Sequence, residues 1–266
     1  MEHDRPEHAF TAVDEQEEPS SWIGVLDRLR EEPAYAAYKR RIMESLEPVS
    51  EGRYLDVGTG TGSDALALAS GLGVEVVGVD VSRTMVDEAR RRGLREAHVA
   101  RAESLPFPDA SFDGCWADRT FQHLAEPEIA LAEMVRVAKP GGRVVVADPD
   151  YDTQVVDVAD QQLARRVLSY RADHALRNGT LAHRMGGVFV RAGLRDVSVE
   201  AAPVILRDPT ALDNALGLRS WAAVAHERGL LDAADGERWE ETIDRSIADG
   251  HFLYSFSLFL TAGTKP

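Results

Sequence analysis

The chain has 266 residues, 44% apolar and 28% charged, and carries a formal net charge of −15 at neutral pH. These values describe a folded, soluble protein of one catalytic domain with accessory helices, not a disordered or membrane-embedded chain. The negative charge also argues against a nucleic-acid partner, because phosphate backbones are repelled unless a basic stripe overcomes the field.

Residues 1–20 are acidic and lack an apolar leader, so they read as a flexible tail on a cytoplasmic protein. No later stretch holds the roughly 18 uninterrupted apolar residues that a membrane span needs. The single cysteine, Cys115, has no partner for an internal disulfide, which suits a reducing compartment. It falls in a predicted strand and reads as a small core residue, not a nucleophile.

Residues 21–50 give two helical pieces divided at Pro33, a cover placed ahead of the first strand. From "RYLDVG" onward the apolar period alternates. It predicts strand 53–57, helix 62–70, strand 74–79, helix 82–92, strand 97–101, strand 111–117, helix 126–138 and strand 142–147. Such alternation implies right-handed crossovers and a parallel sheet covered on both faces, a doubly wound α/β fold. Asp80 and Ser82 stand where a helix N-cap belongs, Gly93 stops the basic helix end "EARRRG", and "KPGG" separates a helix from a strand. Ile129, Leu131, Met134, Val135 and Val137 recur at helical spacing and are expected in the core.

Beyond residue 150 helical stretches are expected at 155–176 and 181–192, a strand at 194–201 and a further helical insertion at about 210–248. Residues 51–266 thus form one domain with helical insertions at about 151–190 and 205–250. The final "HFLYSFSLFLTAG" is apolar at nearly every position, as a strand inside the sheet requires.

The segment "LDVGTGTGSDALALA" carries the first chemical signal. Gly58, Gly60 and Gly62, with Thr59 between, let a ligand lie against bare backbone. A dinucleotide fingerprint spaces its glycines G-x-G-x-x-G and rests a pyrophosphate on the helix start. Here the spacing is G-x-G-x-G, followed by Ser63. Asp56, just before the loop, would oppose a pyrophosphate and favour an ammonium or sulfonium. Asp80, at the end of the second strand, offers two acceptor oxygens to a pair of ribose hydroxyls. The ligand so described is a positively charged nucleoside. Each carboxylate also has a structural alternative, Asp56 as a cap for loop amides and Asp80 as a helix cap.

Taken together, "LDVGTGTG", "VVGVDVSRTM", "ARAESLPFPDASFD" and "VRVAKPGGRVVVADPD" resemble the successive motifs of the class I S-adenosylmethionine-dependent methyltransferases, in particular the ubiquinone-type and bacterial natural-product small-molecule enzymes. The resemblance implies a Rossmann-like seven-stranded sheet with an antiparallel last strand. It implies that Asp80 holds the ribose, that Val81 and Met85 pack near the adenine, that Ala102 and Glu103 flank it, and that Glu103 accepts from the exocyclic amine. A solvated loop role is the alternative for Glu103.

"CWADRTFQHLAEP" follows the fourth strand, whose carboxyl end borders the ligand crevice in a doubly wound sheet. Asp118, Arg119, Phe121 and His123 are therefore expected near the cofactor and acceptor, and Asp118 is counted with the cofactor residues. His123 is the candidate general base, with a local hydrogen-bonding role as its alternative. The acceptor pocket is expected among Tyr35, Tyr38, Tyr151 and Trp221, which could equally be core. Arg40 is a further candidate for the cofactor carboxylate. Asp118, Asp148 and Asp150 match magnesium-dependent enzymes poorly in spacing, so no metal is expected. The combined expectation is methyl transfer from S-adenosylmethionine, with S-adenosylhomocysteine as product, to a small-molecule acceptor, with no membrane partner. The alternatives are a non-methylating cyclase or regulator on the same fold and, disfavoured by Asp56 and Ser63, a nicotinamide oxidoreductase. Oligomeric state is not legible in the sequence.

Overall fold

The computed structural model describes residues 13–15, 18, 20–31 and 33–266. Helices α1 (Ser21–Glu31) and α2 (Pro33–Leu46) precede β1 (Arg53–Val57), α3 (Ser63–Leu72), β2 (Glu75–Asp80), α4 (Arg83–Arg92), β3 (Glu96–Val99) and β4 (Phe112–Asp118). Then come α5 (Pro127–Val137), β5 (Ala138–Val156), α6 (Gln161–Tyr170), α7 (Met185–Arg191) and β6 (Arg195–Leu206). Helices α8 (Pro209–Leu216), α9 (Trp221–Glu227) and α10 (Ala233–Ala248) lead to β7 (Tyr254–Thr264).

One seven-stranded sheet runs in the order β3-β2-β1-β4-β5-β7-β6. Strands β1 to β5 pair in parallel, and β7 lies antiparallel between β5 and β6. The expected doubly wound fold with an inserted antiparallel last strand is therefore present. Apolar clusters cover both faces of the sheet, one around Tyr54, Trp116, Val145 and Tyr254, the other around Leu55, Val77, Cys115 and Val146. Two-sided cover is what makes these strands read as unbroken apolar runs. Cys115 is fully buried, and burial pushes its thiol up, as a core residue requires. Among the described residues no helix is long and apolar enough to cross a membrane.

Several elements depart from the sequence reading. Strand β5 continues to Val156, so residues 155–156 are strand and the following helix starts only at Gln161. The extra length pairs with β7 across a register shift between Asp150 and Val155, a partner that local periodicity does not reveal. Ile129 faces out at 49% exposure, whereas Leu131, Met134 and Val137 are buried, so the core stripe of α5 is narrower than expected. Most of the predicted tail lies outside the described residues. Its Val13–Glu15 segment forms a helical turn in which Val13 is buried.

Candidate cofactor and acceptor site

The glycine loop joins the end of β1 to α3, with Gly58, Gly60 and Gly62 at φ of 77°, 52° and 73°. These left-handed values strain any side-chain-bearing residue. A Cβ on Gly58 would stand 2.1 Å from Thr120 Oγ1, and one on Gly62 would stand 2.9 Å from Ala89 Cβ. Gly58 thus admits the β4 loop, and Gly62 lets α3 pack on α4.

Asp80 fixes the loop from the neighbouring strand. Gly60 N donates to its Oδ2 at 2.8 Å and Ser82 N to its Oδ1 at 2.9 Å. Each oxygen keeps a second lone pair for a ligand hydroxyl. The N-cap of α4 is Ser82, whose Oγ accepts from Met85 N at 3.2 Å, so Asp80 is free of that duty. Burial raises the Asp80 pKa against the pull of the Ser82 and Gly60 amides. Beside it, Asp14 accepts from Ser82 Oγ at 2.7 Å, Arg83 N at 2.7 Å and Thr84 N at 3.1 Å, docking the N-terminal turn onto the start of α4.

At the other end of the loop three carboxylates meet two cations. Asp56 is buried and accepts from Thr59 Oγ1 at 2.8 Å. Burial first, and the charge of Asp64 second, raise its pKa well above the usual carboxylate range. Lys39 of α2 pairs with Asp64 and, at 2.8 Å, with Asp118. Burial opposes the ammonium charge of Lys39, but Asp118 and Asp64 outweigh it and raise its pKa. Tyr38 donates to Asp118 Oδ2 at 3.1 Å, whereas Asp118 Oδ1 is buried with no hydrogen-bond partner. Arg119 stands at φ 53°, a strained conformation for a side-chain-bearing residue, held by its N–H to Ala147 O at 2.7 Å. Its guanidinium lies 5.1 Å from the Tyr35 ring centroid, and its Nε is a second buried atom with no hydrogen-bond partner.

These groups open on a cavity of about 580 Å³. Asp56, Gly58, Thr59, Gly60, Asp80, Val81, Met85, Ala102, Glu103, Asp118 and His123 all line it. So do Val13, Leu26, Lys39, Arg119 and Gln122, which bring the N-terminal cover and the β4 loop to the same space. The residues fit a charged nucleoside. The unpartnered Asp118 oxygen and buried Asp56 offer acceptors to an ammonium, Arg119 Nε offers a donor to a carboxylate, and Asp80 keeps acceptor capacity for hydroxyls.

Gly62 is not among the lining residues, because its place is taken up by the packing on Ala89. Tyr35, Tyr38, Tyr151 and Trp221 are also absent from the lining and are 92–98% buried. Tyr35 and Tyr38 meet the lining through Arg119 and Asp118, whereas Trp221 packs on Trp239 and Tyr254 in the core. Arg40 is exposed, and the cation that reaches the site from α2 is its neighbour Lys39. His123 Nε2 lies 3.0 Å from Gln122 Nε2, whose amide also donates to Arg119 O at 3.1 Å. Asp148 accepts from the Phe121 and Gln122 amides at 3.2 and 3.4 Å, which pins the short turn bearing His123. Asp150 accepts from both His183 N and His183 Nδ1, at 2.9 and 2.6 Å, and Asp152 completes a group whose possible ligating atoms lie within 4.8 Å. That group is outside the cavity lining.

A family profile described as a methyltransferase domain matches residues 55–146, the segment that builds this site. An uncharacterized 37.1 kDa protein in transposon TN4556 of Streptomyces fradiae is 32% identical over 244 residues, covering 90% of this chain and 70% of that protein. The O-methyltransferase resE of Aspergillus sclerotiorum is 38% identical over 101 residues, covering 35% of this chain and 38% of its own length. Among solved structures, phosphoethanolamine N-methyltransferase 2 of Haemonchus contortus, in complex with phosphomonomethylethanolamine and S-adenosylhomocysteine, superposes with a TM-score of 0.62 at 20% identity. That match covers 97% of this chain and 60% of the other, and shows the shared fold. The chain belongs to the class I S-adenosylmethionine-dependent methyltransferases, and S-adenosylmethionine is its cofactor. It spans less than half of resE, so acceptor and reaction are matters for the site itself.

Proposed function

We propose that the protein methylates a small molecule of bacterial natural-product metabolism in the cytoplasm. The observation that carries this reading is the cavity bounded by Asp80 at one end and by Asp56 and the unpartnered Asp118 oxygen at the other. When bound, S-adenosylmethionine supplies a methyl group already activated by its sulfonium, so that its carbon–sulfur bond breaks as the acceptor's bond to carbon forms. The chain's task is then to position, to exclude water and to receive a proton.

Asp80 and the Gly60 backbone hold the ribose, and Glu103 accepts from the adenine amine between the apolar edges of Val81, Met85 and Ala102. Asp56 and Asp118 receive the ammonium, and Lys39 and Arg119 face the carboxylate. Gly58, Thr59 and Gly62 keep the loop in shape. His123, its ring oriented by Gln122, takes the acceptor proton where the nucleophile carries one. Tyr35 and Tyr38 support the lining through Arg119 and Asp118.

Incubating the protein with methyl-labelled S-adenosylmethionine and the metabolite fraction of a Streptomyces culture tests this. Label in the organic fraction, lost in Asp80→Ala, is the expected result. Cofactor binding without any labelled metabolite would move the protein to the non-methylating reading.

A further inference from the structure

The residues assigned to the cofactor leave one stretch of the cavity lining over. It comprises Gln122, His123, Leu124 and Ala125, from the segment after β4, together with Arg177. Arg177 belongs to a turn at residues 177–180, which follows the π-helical segment Arg171–Ala175. Its neighbour Asn178 joins the two pieces of chain. Asn178 Nδ2 donates to Phe121 O and to Leu124 O, both at 2.8 Å, and Asn178 N donates to Gln122 O at 3.0 Å. On the far side of the turn Tyr151 N donates to Gly179 O at 2.9 Å, which ties it to β5 as well. The backbone that carries Arg177 is thus fixed against the one that carries His123, so a ligand has only the side chain left to order.

The other cations of the lining are engaged. Lys39 pairs with Asp64 and Asp118, Arg101 pairs with Glu103, and Arg119 has Asp118 at 4.0 Å. Arg30 acts on Asp27, whose carboxyl is held below the usual range by Arg92 first, with Arg30 adding to it. Arg177 has no ion-pair or hydrogen-bond partner among the described residues, and it is exposed. Water stabilises its charge, so the guanidinium remains available to a ligand. Its planar fork of N–H donors matches a carboxylate or a phosphate, which can accept two parallel bonds from it.

A second side chain of this stretch also lacks a partner. Gln122 is only 6% exposed, and its Nε2 donates to Arg119 O at 3.1 Å, which directs the amide oxygen away from that carbonyl. Gln122 Oε1 is buried with no hydrogen-bond partner, an arrangement that costs stability and that a ligand N–H or O–H would relieve. Leu124 and Ala125 add apolar surface to the same stretch.

We propose that Arg177 binds an anionic oxygen group, a carboxylate or a phosphate, carried by the methyl acceptor at the solvent-facing edge of the cavity. The proposal rests on the methyltransferase reading and names its substrate class. Arg177 is then a specificity residue. It selects the acceptor by charge and leaves cofactor affinity unchanged.

Calorimetric titration of the full chain, saturated with S-adenosylhomocysteine, with phenylacetate, phenyl phosphate and phenylacetamide provides the test. The expected result is at least a tenfold preference, about 1.4 kcal/mol, for an anion over the neutral amide. Arg177→Gln abolishes the preference and Arg177→Lys keeps part of it. Arg165→Gln, at an exposed position outside the cavity lining, leaves the preference intact. Tighter binding of phenylacetate assigns a carboxylate, and tighter binding of phenyl phosphate assigns a phosphate. Equal binding of phenylacetamide, an unchanged preference in Arg177→Gln, an equal loss in Arg165→Gln, or no binding of any probe would each overturn the proposal. A tenfold loss of S-adenosylhomocysteine affinity in Arg177→Gln would overturn it too, because the residue would then serve the cofactor. Failure of the unaltered chain to bind S-adenosylhomocysteine would instead remove the methyltransferase reading beneath it.

Discussion

Lys39 Nζ lies 2.8 Å from Asp118 Oδ2, and the same ammonium pairs with Asp64, so a single side chain of the N-terminal cover joins the end of β4 to the first turn of α3. Lys39 is 16% exposed and Asp118 9%, which makes this a largely buried pair. Removing Lys39 leaves Asp64 without this ion pair and Asp118 with only the Arg119 guanidinium at 4.0 Å and the Tyr38 hydroxyl. Lys39→Met is expected to lower stability by about 3 kcal/mol. Scanning calorimetry would show a fall in melting temperature of roughly 6–12 °C for a chain of this size. The double variant Lys39→Met/Asp118→Asn should recover part of the loss, because only one of the two carboxylates that Lys39 pairs with then keeps its charge.

Asp56 sets a pH dependence of unusual sign. Its folded pKa is raised, so between the unfolded value of 3.8 and that raised value the folded chain holds a proton that the unfolded chain has lost. Stability from this group therefore falls as pH rises through the window. An ammonium ligand favours the ionised form, so cofactor affinity rises with pH over the same window and binding releases protons. Titrations with S-adenosylhomocysteine in two buffers of different ionisation enthalpy would count those protons. Asp56→Asn should melt higher than wild type at neutral pH, bind the ligand roughly tenfold or more weakly, and lose the proton release.

Two glycines of similar backbone geometry should respond differently to a methyl group. Gly58 and Gly73 have φ of 77° and 66°, but a Cβ on Gly58 meets Thr120 whereas one on Gly73 meets nothing within 4 Å. Gly73→Ala is expected to cost about 1 kcal/mol from backbone strain alone. Gly58→Ala adds the displacement of Thr120 and should abolish S-adenosylhomocysteine binding. Equal effects on binding would remove the steric account of the loop.

Asp14 ties residues 13–15 to the start of α4. Partial burial works against its charge, but the Ser82 hydroxyl and the amides of Thr84 and Arg83 outweigh it and pull its pKa down to about 2. Its contribution is present above pH 3.8 and is lost as pH falls towards 2. Since Val13 and Glu15 line the cavity, Asp14→Ala should speed ligand release about fivefold, equivalent to the ~1 kcal/mol of a capping side chain. Stopped-flow dissociation of S-adenosylhomocysteine measures it.

The sheet was legible because β1, β2, β4 and β7 are covered on both faces, so their sequences are apolar runs closed by glycine or acidic residues. Asp56 and Asp80 were legible because strand ends and glycine spacing are local patterns. Lys39 was not, since its partner Asp118 stands 79 residues away and helical periodicity alone favours no cation over its neighbour Arg40. The four aromatic residues were expected at the acceptor pocket or in the core, and their burial keeps them out of the cavity lining.

The most direct measurement is calorimetric titration of the purified chain with S-adenosylmethionine, S-adenosylhomocysteine and NAD, repeated on Asp80→Asn. The Asp56, glycine-loop and Asp80 arrangement predicts micromolar binding of the first two, weakened in the variant, and no binding of NAD. Binding of NAD in place of the other two would contradict it.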